Sequence, residues 1–203
     1  MRKIKRIFIH CTAGPQTQTV EEIKKYWKRV RGWDTPGYHY IIKANGEIVN
    51  LQPEGKPSNG VTGYNSTSIN VCYMGGVDRK GKAVDNRTDA QKASLATLLK
   101  DLHSRYPDAE ILGHRDVWGP NPKDWKKMCP CFDVKSWWKE VLDEENKQPE
   151  LPKVEINTEE LKPVEPTIHT TDINDAPILA KPVEQPKKGL FSTILSFITK
   201  IFK

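Results

Sequence analysis

Long apolar runs are absent from this 203-residue chain, in which hydrophobic residues make up 36% of the sequence. A membrane-spanning helix needs about 20 consecutive apolar residues, and no segment approaches that length. The start, MRKIKRIFIH, is basic, but its apolar stretch ends after Ile9, far short of the apolar core of a secretory signal peptide. We therefore expect synthesis in the cytoplasm without a signal peptide.

Cysteine is also scarce, with four residues at positions 11, 72, 129 and 131. Two disulfides would be possible in a secreted protein, but Cys129 and Cys131 are too close in sequence for an easy mutual bridge. The sequence therefore favours reduced thiols.

Negative charge is unevenly distributed along the chain. Eleven acids lie between Asp143 and Gln185 against four lysines, although the whole chain carries a net charge of +6. The part before Asp143 is consequently more basic than the whole chain, which suits a polyanionic partner such as a cell-wall polymer or a nucleic acid. No nucleic-acid-binding motif is present, so we expect no nucleic-acid partner.

Strand and helix patterns alternate over the first two thirds of the sequence, which is typical of an α/β domain. Helices are predicted after two capping-box patterns, Thr19 with Glu22 and Thr88 with Gln91, and again over residues 137–142. Strands are predicted at the apolar or alternating segments 7–9, 38–43, 47–49, 68–74 and 111–113. The length suits a single domain with a central mixed β-sheet flanked by helices, followed by extra sequence.

The apolar periodicity stops at about residue 144. Seven prolines and many acids follow, up to residue 186. Such a composition cannot bury enough apolar surface to fold, so it predicts a folded domain over 1–143 and a disordered linker over 144–188.

The last segment, 189–203, has the pattern of an amphipathic helix. It would be about 20 Å long, which is too short to cross a bilayer but suits a helix lying in the membrane interface. Docking onto a protein surface is the alternative. The expected membrane-binding side chains are those on the apolar face: Leu190, Phe191, Ile194, Leu195, Phe197, Ile198, Ile201 and Phe202.

Two histidines and a cysteine carry the clearest chemistry in the sequence. His10 and His114 each follow a short apolar stretch, so strand ends can present them, and Cys129 lies in KKMCPCFD. Zinc accepts imidazole nitrogen and thiolate sulfur, and a catalytic site uses three protein ligands. The alternative is two hydrogen-bonded structural histidines and a cysteine that packs as a small apolar side chain. The spacing matches neither a zinc finger nor HExxH, so the three residues alone leave both readings open.

Five segments in order strengthen the metal hypothesis: IFIHCTAG, GWDTPGYHYIIKANGEI, GYNSTSINVCYMGG, GHRDV and KMCPCFD. They resemble the zinc-dependent N-acetylmuramoyl-L-alanine amidases of type 2, which include phage lysozymes of the amidase type and peptidoglycan recognition proteins. The resemblance covers about residues 4 to 142, and the tail lies outside it. Several motifs in the right order are more specific than any single one.

The resemblance implies a peptidoglycan substrate and a Zn²⁺ cofactor held by His10, His114 and Cys129. The bond cleaved would be the amide between the lactyl group of N-acetylmuramic acid and the L-alanine of the stem peptide.

Three further residues take roles from the same resemblance. Tyr38 in GYHY matches the catalytic tyrosine and Lys127 matches the catalytic lysine of K-x-C-P, while Lys126 is offset by one and is expected to be a surface charge. Asn65 in GYN is a candidate substrate-binding residue. Without the resemblance, Tyr38 would be an ordinary strand aromatic and Lys127 a solvated lysine.

The chain departs from the family pattern in two places. Many relatives carry a histidine shortly before GYN, where this chain reads PSNGVT, and the segment 117–126 is longer than in compact phage lysozymes. The sequence thus predicts a monomeric lytic amidase of phage or prophage type that acts at the cell wall after release or delivery. The alternatives are a non-catalytic peptidoglycan-binding module and a membrane-permeabilising protein that the amidase fold targets to the wall.

Overall fold

A five-stranded mixed sheet lies at the centre of the structure, a computed structural model that describes residues 2–147. The strand order is β3-β2-β4-β1-β5, with β1 parallel to both β4 and β5, β2 parallel to β4, and β2 antiparallel to β3. The predicted mixed sheet is therefore confirmed. The strands are β1 (Arg6–Cys11), β2 (Tyr40–Ile42), β3 (Ile48–Asn50), β4 (Ser68–Tyr73) and β5 (Glu110–Gly113).

Helices cover both faces of this sheet, because its central strands are apolar on both sides. They are α1 (Val20–Arg29), α2 (Asp89–Arg105) and α3 (Val134–Lys147). On one face, alternate residues of β1 and β4 pack with the leucines of α2 and with Val134 of α3. On the other face, α1 packs against β2 and the end of β4. His10 and Asn70 also belong to this second face, because side chains alternate along a strand.

Capping boxes begin α1 and α2, as the sequence predicts. The Thr19 hydroxyl accepts from the backbone N–H of Glu22, whose carboxylate accepts from the N–H of Thr19. Thr88 and Gln91 make the equivalent pair of bonds. Each box satisfies two backbone donors that the first helical turn would leave unpaired.

Helix α3 includes residues 144–147 and therefore continues past residue 144, where the sequence predicts the start of the linker. Glutamate and lysine favour helix, so this acidic run can continue α3. An ion pair joins this end of α3 to α2, with Lys100 Nζ 3.0 Å from Glu145 Oε2. The rest of the predicted linker and the predicted terminal helix lie outside the described residues.

None of the helices within residues 2–147 is both long enough and apolar enough to cross a bilayer.

Glu54 ties the loop after β3 to β2 and to the end of α2. Its carboxylate accepts two hydrogen bonds from Arg105, at 2.6 and 2.9 Å, one from the Tyr106 hydroxyl at 2.6 Å, and one from the Tyr40 hydroxyl. Burial alone would raise the pKa of Glu54, but these donors favour the charged form and lower its pKa to about 2.

Replacing Glu54 with glutamine is expected to lower the free energy of unfolding by about 2 kcal/mol near pH 6. A depressed carboxyl pKa stabilises the fold above the unfolded value of about 4.3, and this contribution disappears as the pH falls toward 2. The difference in urea stability between wild type and Glu54→Gln should therefore shrink between pH 4.5 and pH 2.5. A difference that stays constant over this range would contradict the assignment.

Candidate active site

The parallel register of β1 and β5 brings His10 and His114 together. Ile9 pairs with Gly113, so the next residue on each strand lies at the same edge of the sheet. The two imidazole centroids are 4.8 Å apart, and the two Nδ1 atoms are 3.1 Å apart. The sequence placed these histidines 104 positions apart, and the sheet makes them neighbours.

Cys129 reaches the same point from the loop that precedes α3. Its carbonyl accepts a hydrogen bond of 2.9 Å from the backbone N–H of Arg115, next to His114. Its Sγ lies 3.3 Å from the backbone N of Cys11, which donates to it, and 3.9 Å from His10 Nδ1. Gly113 allows the approach, because a Cβ there would lie 2.8 Å from Cδ of Pro130.

The three side chains form a donor set that fits zinc. One potential ligand atom from each of His10, His114 and Cys129 lies within 4.8 Å of the other two. Burial lowers the pKa of His10 well below its ordinary value, and the charges of His114 and Lys127 act in the same direction. Burial and Lys127 lower the pKa of His114 to about 4. Both imidazoles are therefore neutral near pH 7, which is the form that coordinates a metal.

Tyr38 lies directly beside this cluster. Its ring centroid is 5.1 Å from that of His10. The ring also packs edge-to-face against Trp27 of α1, with the centroids 5.4 Å apart. Burial raises the pKa of Tyr38 well above its usual range, and the neighbouring thiols of Cys72 and Cys129 act in the same direction. The phenol therefore stays protonated at neutral pH and can donate a hydrogen bond.

A groove of about 430 Å³ opens beside His114. Among its described lining residues are three cations and no carboxylate, so the groove favours an anionic ligand. The residues that line it are Arg31, Trp33, Asn59, Gly60, Val61, Thr62, Tyr64, His114, Val117, Trp118, Lys126 and Lys127.

Lys126 and Lys127 both border the groove, and both side chains are exposed. Lys127 differs because its charge lowers the pKa of both His10 and His114, which indicates that it lies near the two histidines. Lys126 is exposed, as expected, and it also lies on the groove wall.

The long segment 117–126 forms part of the groove wall. From the sequence, only its greater length was apparent. The indole N–H of Trp125 donates to the carbonyl of Gly119 at 2.9 Å, and the Arg115 guanidinium lies 4.1 Å from the centroid of the Trp125 ring. Trp118 stacks on His114, with the centroids 5.6 Å apart and the planes at 17°. No sequence signal identified this contact, because Trp118 lies in the extra segment, outside the five motifs.

Asn65 lies next to the groove and bonds to one of the residues that line it. Its side-chain oxygen accepts a 2.8 Å hydrogen bond from the N–H of Val61, a lining residue, and Asn65 itself is not in the lining. Its role in substrate binding stays a prediction. Asn59, in the segment PSNGVT, lies on the groove wall.

All four cysteines are free thiols in the structure, as the sequence favoured. Cys11 Sγ and Cys131 Sγ are 3.7 Å apart, and Cys72 is fully buried under α1. Of the four cysteines, Cys129 is the one grouped with both histidines in the candidate metal cluster.

The structure thus combines a mixed α/β sheet with a His/His/Cys cluster, and comparison with known proteins identifies the family. The profile of the N-acetylmuramoyl-L-alanine amidase family matches residues 1–132. The endolysin of Klebsiella phage KP32 is 40% identical over 135 residues, which cover 66% of this chain and 84% of that protein. The endolysin of Escherichia phage T7 is 41% identical over 134 residues, covering 65% and 83%.

Solved structures agree with this family. The Ph2119 endolysin from a Thermus scotoductus bacteriophage is 25% identical, with a TM-score of 0.56 over 70% of this chain and 86% of that chain. The peptidoglycan recognition protein SA of the bumblebee shares the fold, with a TM-score of 0.55 at 21% identity over 68% and 82% of the two chains. The chain belongs to the N-acetylmuramoyl-L-alanine amidase family. It is a phage-type peptidoglycan amidase.

Proposed function

We propose that this amidase depends on zinc held by His10, His114 and Cys129, and that it cleaves the amide between N-acetylmuramic acid and the L-alanine of the stem peptide. The observation that carries the proposal is the cluster of three ligand atoms within 4.8 Å, at the edge of a cationic groove. Bound zinc would supply Lewis acidity toward the amide carbonyl and toward water.

The residues around the cluster supply the remaining chemistry. Negative charge develops on the amide oxygen as the carbonyl is attacked, and the Lys127 ammonium near both histidines is positioned to stabilise it. Tyr38 holds its proton, so it acts as a hydrogen-bond donor that orients water or the carbonyl rather than as a base. The neighbouring basic groove attracts the anionic wall polymer.

A non-catalytic wall-binding module is the competing function. Such a module would need the groove but not a cysteine beside two neutral histidines with a lysine close by. The presence of all of these together favours catalysis.

Each of His10→Ala, His114→Ala and Cys129→Ala is expected to abolish release of stem peptides from purified peptidoglycan and to reduce bound zinc from one equivalent per chain. The reason is that each variant removes one of three protein ligands. His103→Ala on α2 is the matched control and should keep both zinc and activity. Circular dichroism should accompany each assay, since losing a ligand can also destabilise the fold. Full activity of the metal-free wild type would contradict zinc dependence.

Lys127→Ala is expected to lower kcat by about 100- to 1000-fold while leaving zinc content unchanged, because its proposed role is electrostatic stabilisation of the transition state. Lys126→Ala is the adjacent control and should have a much smaller effect. A larger loss in Lys126→Ala than in Lys127→Ala would show that the wrong lysine is assigned.

We further propose that residues 189–203 bind the membrane surface, so that the amidase reaches the wall from a membrane-bound position. The support is the sequence alone: apolar residues fall on one side of the helical pattern, and Lys187, Lys188, Lys200 and Lys203 flank or complete it. A lysine near an anionic surface contributes about 1 kcal/mol. If the protein is instead membrane-permeabilising, this segment would permeabilise membranes by itself, and the amidase domain would only target it to the wall.

Deleting residues 187–203 is expected to leave hydrolysis of membrane-free peptidoglycan nearly unchanged and to weaken binding to anionic vesicles, because only the latter needs the apolar face. Ile198→Asp should mimic the deletion, and Thr199→Asp on the polar side should do so less. Vesicle co-sedimentation and circular dichroism are the measurements. Equal partitioning of the full-length and truncated proteins would favour docking onto a protein, and lysis by the isolated peptide would favour direct permeabilisation.

A further inference from the structure

The ring nitrogen of His10 that faces away from the cluster is bonded to Asn70. His10 Nε2 lies 2.9 Å from Asn70 Oδ1, and both residues are buried, with exposures of 1% and 0%. A carboxamide oxygen only accepts hydrogen bonds, so Nε2 carries the proton. The Nδ1 atom, which lies near His114 and Cys129, then presents its lone pair to the cluster.

The other hydrogen bonds around Asn70 agree with this orientation of its side chain. The backbone N–H of Asn70 donates to His39 Nδ1 at 3.0 Å, so that nitrogen is an acceptor. The Ser58 hydroxyl, 2.9 Å from the same Nδ1, can donate to it and accept from Asn70 Nδ2 at 2.9 Å. His39 Nε2 is left to donate to the carbonyl of Lys56 at 2.9 Å. With Asn70 Oδ1 facing His10, each of these donors on Asn70, Ser58 and His39 has an acceptor.

Room for Asn70 comes from a glycine in the groove wall. A Cβ on Gly60 would lie 2.2 Å from both Cγ and Oδ1 of Asn70, far closer than two such atoms can approach. Any side chain at position 60 would displace the carboxamide that holds His10. Gly60 and Asn70 are therefore a matched pair, one on the groove loop and one on β4.

We propose that Asn70 is a positioning residue that fixes the tautomer and ring orientation of His10 for metal binding, and that Ser58, His39 and Gly60 hold Asn70 in place. The proposal rests on the zinc site proposed above. Hydrogen bonds to the outer nitrogen of a metal-bound histidine raise its basicity and remove its rotational freedom, and losing them costs about 10- to 100-fold in metal affinity.

Zinc affinity, measured by competition with a chromogenic chelator, provides the first test. Asn70→Ala should weaken zinc binding by about 10- to 100-fold, whereas Asn70→Asp, which keeps an acceptor oxygen, should restore most of the affinity. Gln91→Ala is the matched control, because Gln91 is an equally buried amide that bonds to backbone carbonyls of Ile42 and Met74 instead of a ligand. It should lower fold stability without changing zinc affinity. Equal losses in Asn70→Ala and Gln91→Ala would overturn the proposal.

Coupling between Gly60 and Asn70 provides the second test. Gly60→Ala alone should reduce zinc affinity about as much as Asn70→Ala, because the new methyl group displaces the carboxamide. The double variant Gly60→Ala/Asn70→Ala should bind zinc no worse than Asn70→Ala, since the clash is gone. Additive losses would show that Gly60 acts independently of Asn70.

The tautomer of His10 can be read in the metal-free wild-type protein, which keeps the question open to test even if a variant fails to fold. Nitrogen-15 NMR of the imidazoles should show His10 protonated at Nε2. Protonation at Nδ1 would overturn the assignment. A wild-type protein that binds no zinc would instead refute the zinc site itself, whereas zinc binding that is indifferent to Asn70 would refute only the positioning role.

Discussion

The parallel pairing of β1 with β4 and β5 is the constraint on which the rest of the structure depends. Because β1 and β5 run in the same direction with Ile9 opposite Gly113, the residues that follow meet at one edge. Because β1 also pairs with β4, Asn70 lies on the same face as His10 and can bond to it. A change of one residue in either register would turn His10 or Asn70 to the opposite face.

The electrostatics of the site follow from burial at this edge. Two imidazoles in an apolar setting are held neutral, and the nearby charge of Lys127 strengthens that effect. The same lysine lines the groove beside His114, which is why the proposed mechanism gives it the role of stabilising the developing anion. Tyr38 is kept protonated by the same burial, which limits it to donating a hydrogen bond.

Local signals predicted most of the fold correctly. Both capping boxes begin helices where threonine precedes a glutamate or glutamine by three residues, and the antiparallel hairpin surrounds the Asn45-Gly46 turn. The end of the domain was less predictable. Residues 144–147 continue α3 as a polar run that favours helix. They contribute no apolar side chain, so apolar periodicity could not detect them.

The sequence by itself determined the candidate ligand residues, the order of the elements and the family, since these depend on local composition and on motifs in sequence. It did not determine the bond from Asn70 to His10, the stack of Trp118 on His114, or the need for Gly60. Each of these joins residues on different strands or loops, and their meeting depends on strand register and on the space that the packed core leaves. Only the tertiary structure decides those two quantities, because no local interaction encodes them.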